Sequence, residues 1–557
     1  MTFLRNLIEQ LSARPAVWSC AFWAPCFVLL LMLGQWRGRR LPPNLLRWSA
    51  GGVGLLTLGL FAWFNFRYLQ SPVPFDHMPV QIFDASWYFE QGHPLYHDAN
   101  SPEIYNILYG PYLYLFTGAL EKLLGPSVWA AKLVGGVATM ASLGLLGVLL
   151  WRRGGAKPAV AIFATGVFAC LIVADPLGEY LNRADNFIVL FVVIGAWAAY
   201  SPSRIAPLIL GAAIGVSINL KVHAFLYFVP LAWIGWRTGY RWKSILAALV
   251  TALLVALFPF LAYANISLPN YFETLRIAAH HGLSPAYYLD FLACSLNLTL
   301  PFLAVIWLSN RQSPGGTLTA LRRNRWFIGL IVFAFLVLLV PGSKNGAGPH
   351  HLLPLMVILL LLAFELAKAG LRVEWDSSPT TIGLYAILAS WFISCFGVGI
   401  LFSYQNLSYF KTRTPQAASV VADVDAVLKK YGPDHVILMG VGSSNDYPRT
   451  FFRPELVLAG QPIGIEPTAL MENAFAGLPT PTLDHLVKMV THDNPGRKIL
   501  WLIPKGDAPF TLENYYTQAK DAGNGAPDLL FDTAFRIAFQ HDFSLLTSTQ
   551  FYDLYTN

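Results

Sequence analysis

GPHHLLPLMVILLLLAFELAKAGLR, residues 348–372, holds the architecture of the chain in one stretch. Two histidines stand at its mouth, an apolar run fills 350–367, and Lys368 and Arg372 follow its far end. Crossing a bilayer core as a helix takes about 20 apolar residues, and Lys and Arg are retained in short cytoplasmic loops. The stretch therefore reads as a transmembrane helix with its histidines outside and its cations in the cytoplasm.

The rest of the chain repeats this design. Of 557 residues, 55% are hydrophobic and only 12% charged, with a mean hydropathy of +0.49, the composition of a polytopic membrane protein. About twelve segments qualify as spans by length: 16–34, 49–66, 127–150, 158–174, 186–200, 205–220, 222–236, 244–264, 287–308, 327–341, 350–367 and 381–402. The loops between them alternate in charge. One set carries Arg37, Arg39, Arg40 and Arg47, then Arg152, Arg153 and Lys157, and later Arg237, Arg241, Lys243, Arg322, Arg323 and Arg325; the other set is poor in cations. That places loop 67–126 and everything after about 403 outside, in a periplasm or its equivalent. The first segment is either a span, which would put the amino terminus outside, or an interfacial helix or hairpin. No small-residue cleavage site follows it, so a removable signal peptide is not expected.

Cys20, Cys26, Cys170, Cys294 and Cys395 all fall in apolar segments without a CxxC spacing, which excludes a disulfide framework or a zinc cluster of cysteines. Beyond 403 the character changes. With 12 Lys and Arg against 16 Asp and Glu the tail is net −4, leaving +11 for the rest of a chain whose total is +7. PQAASVVADVDAVLKKY (415–431) has apolar positions at helical spacing, while HVILMGV, RKILWLIP and a closing FSLLTSTQFYDLY read as strands. The expected domains are thus a transmembrane domain, 1–402, containing an outer loop 67–126, and a soluble α/β domain, 403–557. GVGSS (440–444) lacks the full GxGxxG pattern, and a turn after a strand needs glycine anyway. The basic pI near 9.0 reflects loops facing anionic lipid rather than a nucleic-acid surface.

Ionisable residues at the membrane's outer edge are expensive to keep and point to function. They recur in four places: the outer loop 67–126, the opening loop, with Asp76, His77, Asp84, Glu90, His93 and His97; DPLGEYLNRADN with Asp175, Glu179, Arg183 and Asp185; NLKVHAF with Lys221 and His223; and PGSKNGAGPHHLLP with Lys344, His350 and His351. Carboxylates beside cations at a bilayer surface suit glycosyl transfer from a lipid phosphate. A carboxylate takes the proton from the attacking hydroxyl, and cations stabilise the charge growing on the departing phosphate.

The run FDASWYFEQGHPLYHD followed by YNILYGPYLYLFTGALEKLLGPS resembles the first outer loop of the GT-C superfamily of multi-spanning glycosyltransferases, and RADN, GVSINLKVHAF and SKNGAGPHHLLPL are similar, in order, to later elements of its bacterial members. The resemblance covers roughly residues 65–365. It implies a polyprenyl-phosphate sugar as donor, a glycan or glycolipid as acceptor, an inner-membrane location with the site facing the periplasm, and inversion at the anomeric carbon. It further implies that an acid of the first outer loop is the catalytic base. Two features depart from the pattern: the extra leading span, and the lack of an adjacent acid pair, which leaves a divalent cation an open question.

Asp84 is the best-placed base, leading into Gly92, Pro94, Leu95 and Tyr96, and Asp76 is the second candidate; for either, the plain alternative is a helix cap. Asp185 has a second role, orienting the acceptor or holding Arg183 in place, and its plain alternative is a structural ion pair. Arg183 suits a phosphate through its planar fork. Lys221, between two spans, must snorkel to water or meet an anion, and a donor phosphate is the favoured anion. Lys344, His350 and His351 add positive charge and donors, yet adjacent side chains on a helix diverge by about 100°. One histidine is therefore expected to face the site while the other packs, and the His280–His281 pair meets the same objection. Glu90, His93, Tyr96 and His223 are candidate substrate contacts. The aromatics of the loop, Trp87, Tyr88, Tyr105, Tyr112 and Tyr114 among them, fit an interfacial belt as well as sugar stacking, and 103–124 reads as a helix lying on the outer leaflet. The rival readings are a transporter or flippase of lipid-linked sugars, which would favour paired halves and midplane charges, and a non-catalytic glycan-assembly subunit.

Overall fold

The protein is described by a computed structural model covering residues 43–72, 77–98, 101–105, 108–174, 182–344, 347–371, 391, 415–444, 447–514 and 529–557. The expected spans at 16–34 and 381–402 lie outside these residues, Trp391 apart. Contacts divide the chain into two units, one comprising the described residues of 1–68, 135–256 and 283–408, the other those of 69–134, 257–282 and 409–557.

The chain is largely helical, but six of its described helices, not twelve, are long and apolar enough to cross a membrane: Trp48–Leu69, Val128–Arg152, Trp242–Ala262, Pro285–Gln312, Arg325–Gly342 and Pro349–Lys368. The segments expected at 158–174, 186–200 and 205–220 are helices of 15 to 17 residues, rising about 22–26 Å, short of a hydrocarbon core of about 30 Å. The segment expected at 222–236 is broken, with a 3-10 turn over Val222–Phe228 before the helix Val229–Thr238. Hydropathy saw one apolar run there because it does not register the change of helix type.

In the first, helical unit, small residues let backbones approach closely. A Cβ on Gly211 or Gly215 would come within 2.3 or 2.5 Å of the carbonyl oxygens of Ala248 or Ala252, so the helix Ala206–Leu220 crosses Trp242–Ala262 at backbone contact. Gly54 and Gly166 form a second such crossing. Leu246, Leu249, Leu253 and Leu254 stay exposed on the Trp242–Ala262 helix, a surface suited to lipid rather than water.

The second unit contains a four-stranded sheet of β1 (His435–Met439), β2 (Lys498–Pro504), β3 (Ser544–Ser548) and β4 (Tyr552–Thr556), in the order β1-β2-β4-β3. β1 and β2 are parallel and the other pairings antiparallel. The expected closing strand is a hairpin instead, turning where the Thr549 N–H donates to Tyr552 O. Strand side chains alternate between faces. Val436, Leu438, Ile499, Trp501 and Ile503 pack on one side with Leu486, Val490, Phe535 and Phe539 from the helices Leu483–Asp493 and Thr533–Asp542. Ile437, Met439, Leu500 and Leu502 pack on the other with Val420, Val424 and Val427 from a helix over 415–431. Both faces are covered, which is why these strands read as continuous apolar runs.

Parts of the opening loop are built into this core. Val80, from the helix His77–Glu90, joins the second face. Ile104 joins the first and pairs with Ile465, its N–H donating to Gly464 O and its carbonyl accepting from the Glu466 N–H. The glycine turn after β1 is occupied by a side chain: the Ser443 N–H donates to Asp507 Oδ2 at 2.8 Å, and a Cβ on Gly442 would strike Asp507. A carboxylate thus stands where a phosphate loop would hold its ligand.

Candidate active site

In the helical unit, three chain reversals bring the charges together. Asp185 lies in the first turn of the helix Ala184–Ala199, directly after the buried Arg183. Lys221 follows the helix Ala206–Leu220 in extended backbone, and the 3-10 turn after it carries His223. Lys221 Nζ donates to both oxygens of Asp185, at 2.6 and 2.9 Å. The anion that Lys221 meets in the fold is Asp185.

His350 and His351 sit in a 3-10 turn, Pro349–Leu352, ahead of the helix Leu353–Lys368. The expectation that one ring faces the site while the other packs away is overturned. Both rings are buried, their centroids 4.4 Å apart, and each offers a ligand atom within 4.8 Å of the other's and of an Asp185 oxygen. The divergence of adjacent side chains on an α-helix does not carry over to this short turn. His223 Nε2 lies 3.2 Å from His351 Nδ1, the kind of outer support that orients an imidazole ligand, and the Tyr227 hydroxyl donates to the His351 backbone carbonyl at 2.7 Å. One carboxylate and two imidazoles so disposed fit a divalent cation, provided Lys221 yields its hold on the carboxylate. Lys344 is half-buried between two spans and pairs in backbone register with Leu283; partial burial draws its ammonium below its ordinary pKa.

In the second unit, Asp84 is the eighth residue of the helix His77–Glu90, so it is not a cap. It is 1% exposed, and neither carboxylate oxygen has a hydrogen-bond partner among the described residues. Burial raises its pKa well above the ordinary value, Arg453 opposes the shift, and Glu466 and Glu455 add to it. Arg453 is itself buried, with Nη1 3.4 Å from Glu466 Oε1. Asp76 lies outside the described residues.

A second acid escaped the sequence reading. Glu121, on the helix Pro111–Leu124, is fully buried with both oxygens unpartnered among the described residues. Burial and then the charge of Asp84 push its pKa up. Its signal was available in the spacing, since Tyr114, Thr117, Gly118 and Glu121 fall at i, i+3, i+4 and i+7 on the buried face. A Cβ on Gly118 would come 3.3 Å from Ser86 O and 2.9 Å from Glu90 Cγ, so this glycine lets the two acid-bearing helices approach.

The other candidate contacts divide by exposure. Glu90 pairs with Lys122 at 3.2 Å. His93 stacks on Tyr88 with ring centroids 3.6 Å apart. Tyr96 is buried, and its hydroxyl donates to Tyr109 O at 2.7 Å, so it packs the loop. Tyr88, Tyr105 and Tyr114 are likewise buried in this unit rather than spread as a belt. His281 is buried with Nε2 2.8 Å from Glu472 Oε2. Glu103, also missed, accepts from the Tyr88 hydroxyl and the Gly464 N–H, and burial raises its pKa to about 7.

No protein-family model and no curated protein matches the chain. Among solved structures, ArnT from Cupriavidus metallidurans in the apo state aligns over 91% of this chain and 98% of its own, with a TM-score of 0.53 and 13% identity. The chain shares its fold with ArnT. The crystal structure of ArnT bound to undecaprenyl phosphate aligns over 90% of this chain and 97% of its own, with a TM-score of 0.51 and 14% identity. At such identities the likeness to ArnT is one of fold, and it extends over nearly the whole of both chains.

Proposed function

We propose that this protein is a multi-pass inner-membrane glycosyltransferase that moves a sugar from a polyprenyl-phosphate donor to a periplasmic glycan or glycolipid, with inversion. The observation that carries this reading is Asp84, an acid buried mid-helix with both oxygens unpartnered among the described residues, in a chain with the fold of ArnT. ArnT has itself been crystallised with undecaprenyl phosphate, a lipid of the class that leaves in the proposed reaction.

In the proposed reaction the acceptor hydroxyl gives its proton to the Asp84 carboxylate as its oxygen attacks the anomeric carbon. The bond from that carbon to the phosphate oxygen breaks, and the polyprenyl phosphate leaves with the electron pair. Lys221, Arg183 and Lys344 receive the negative charge, with His350 and His351 as further donors. A divalent cation held by Asp185, His350 and His351 would supply a Lewis acid for the departing oxygen. Burial raises the pKa of Asp84, which makes its carboxylate a stronger proton acceptor than an ordinary one. Asp76 is the alternative base, and Glu90, His93 and His223 remain proposed substrate contacts.

The test is transfer by the reconstituted protein from a labelled polyprenyl-phosphate sugar to an envelope glycolipid extract. Asp84→Asn should lower transfer by about 10²–10⁴-fold while leaving donor binding. Transfer by that variant at the unmodified rate overturns the assignment of the base, and vectorial movement of donor without any transfer would favour a flippase.

A further inference from the structure

The helices that present Asp185 and His350 at one end carry a second polar cluster at the other. Tyr200 follows the helix Ala184–Ala199, and Glu365 and Lys368 close the helix Leu353–Lys368. Arg237 ends Val229–Thr238, and Arg323 ends the helix Pro314–Arg323. These residues line a cavity of about 220 Å³ within the helical unit, room for several water-sized groups at about 30 Å³ each. This end carries the Lys- and Arg-rich loops, which makes it cytoplasmic by the distribution of charge.

The lining is cationic. Glu365 is the lone carboxylate among the lining residues and is fully engaged: Oε1 accepts from the Tyr200 hydroxyl and from Lys368 Nζ, both at 3.1 Å, and Oε2 from Arg237 Nη1 at 3.4 Å. Three cations against one anion leave a charge of +2. Helix dipoles at four C-termini claim part of it, but the capping N–H groups of Tyr200, Gly239, Asn324 and Ala369 already bond the last carbonyls. Arg323 is exposed and makes no hydrogen bond or ion pair with any described residue. An arginine fork lacking a partner, at the rim of a basic cavity between helices, is suited to two oxygens of a phosphate.

We propose that this cavity binds the phosphate headgroup of an anionic phospholipid of the cytoplasmic leaflet, with Arg323 as the entering contact and Arg237 and Lys368 behind it. Basic pockets between transmembrane helices on this side take such headgroups. Tyr200 and Glu365 hold the two rear cations in place, so the pocket is set before the lipid arrives. The assignment does not depend on the transferase reading.

The experiment uses the full chain in a neutral detergent and reads dissociation constants by native mass spectrometry for phosphatidylglycerol and phosphatidylcholine, with Arg323→Glu, the milder Arg323→Gln, and Arg322→Glu as a neighbour outside the cavity. Phosphatidylglycerol should bind at least tenfold more tightly than phosphatidylcholine. Arg323→Glu should weaken it at least tenfold and Arg323→Gln by a smaller factor, while Arg322→Glu stays within about twofold of the unmodified chain. Equal binding of the two lipids, or equal losses from Arg322→Glu and Arg323→Glu, overturns the proposal. So does displacement of the lipid by inorganic phosphate at equal concentration, which would make a soluble anion the ligand.

Discussion

Lys221 grips both carboxylate oxygens of Asp185, 36 positions earlier in the sequence, at 2.6 and 2.9 Å, and both side chains are almost wholly enclosed. A pair of this kind contributes little net stability when intact, yet removing one partner strands a buried charge. Asp185→Asn or Lys221→Met alone should each cost about 3–5 kcal/mol of stability. The double substitution should cost less than either single one. Unfolding midpoints in a double-mutant cycle check this, and additive losses would mean that the two charges act independently.

The pH dependence of transfer should report Asp84. A base works deprotonated, and burial raises the pKa of this acid, so activity should fall on acidification with a midpoint above the ordinary carboxylate range. Asp84→Asn should lower the rate by about 10²–10⁴-fold, the usual share of a general base. Rates measured from pH 4 to 9 in the unmodified protein decide the first point; a profile flat down to pH 4 would remove Asp84 from the proposed mechanism.

Glu121 carries a cost that its own contacts do not offset. Replacing a buried acid without partners by an apolar side chain of similar size, as in Glu121→Leu, should stabilise the protein by about 1–3 kcal/mol. If the acid serves the acceptor, the transfer rate should fall at the same time. Thermal melts and initial rates on one preparation separate a gain in both properties, which would mark Glu121 as mere packing, from the expected trade.

Glu103 should couple pH to the anchoring of the opening loop. Its pKa rises from 4.5 to about 7 on folding, so between those values the native state holds a proton that the unfolded chain releases. Stability is therefore greatest below pH 4.5, declines by roughly 2–3 kcal/mol as pH climbs to about 7, and is level above. Glu103→Gln should flatten that decline, measured as denaturant midpoints at pH 5 and 8.

Asp185, His350 and His351 should retain about one divalent ion per chain through purification. Elemental analysis of the washed protein measures it, and His351→Ala should reduce the content to background. Full retention in that variant would place the ion elsewhere.

Much of this protein follows from local rules. Apolar run length located the spans of 349–368 and 242–262, helical spacing located the helix over 415–431, and apolar runs located β1 and β2, because each of these depends on neighbours within a few residues. Composition likewise brought Asp84, Asp185, Lys221 and the histidine pair forward, since charge among apolar residues is costly wherever it lies. Tertiary structure decided the partnerships. That Lys221 belongs to Asp185 rather than to a phosphate alone, that His350 and His351 converge in a 3-10 turn, that Asp84 is buried near Arg453 some 370 positions away, and that Glu121 faces inward all depend on contacts between distant segments. Hydropathy measures the cost of leaving water; it carries no information on which distant group repays that cost, and only packing supplies it.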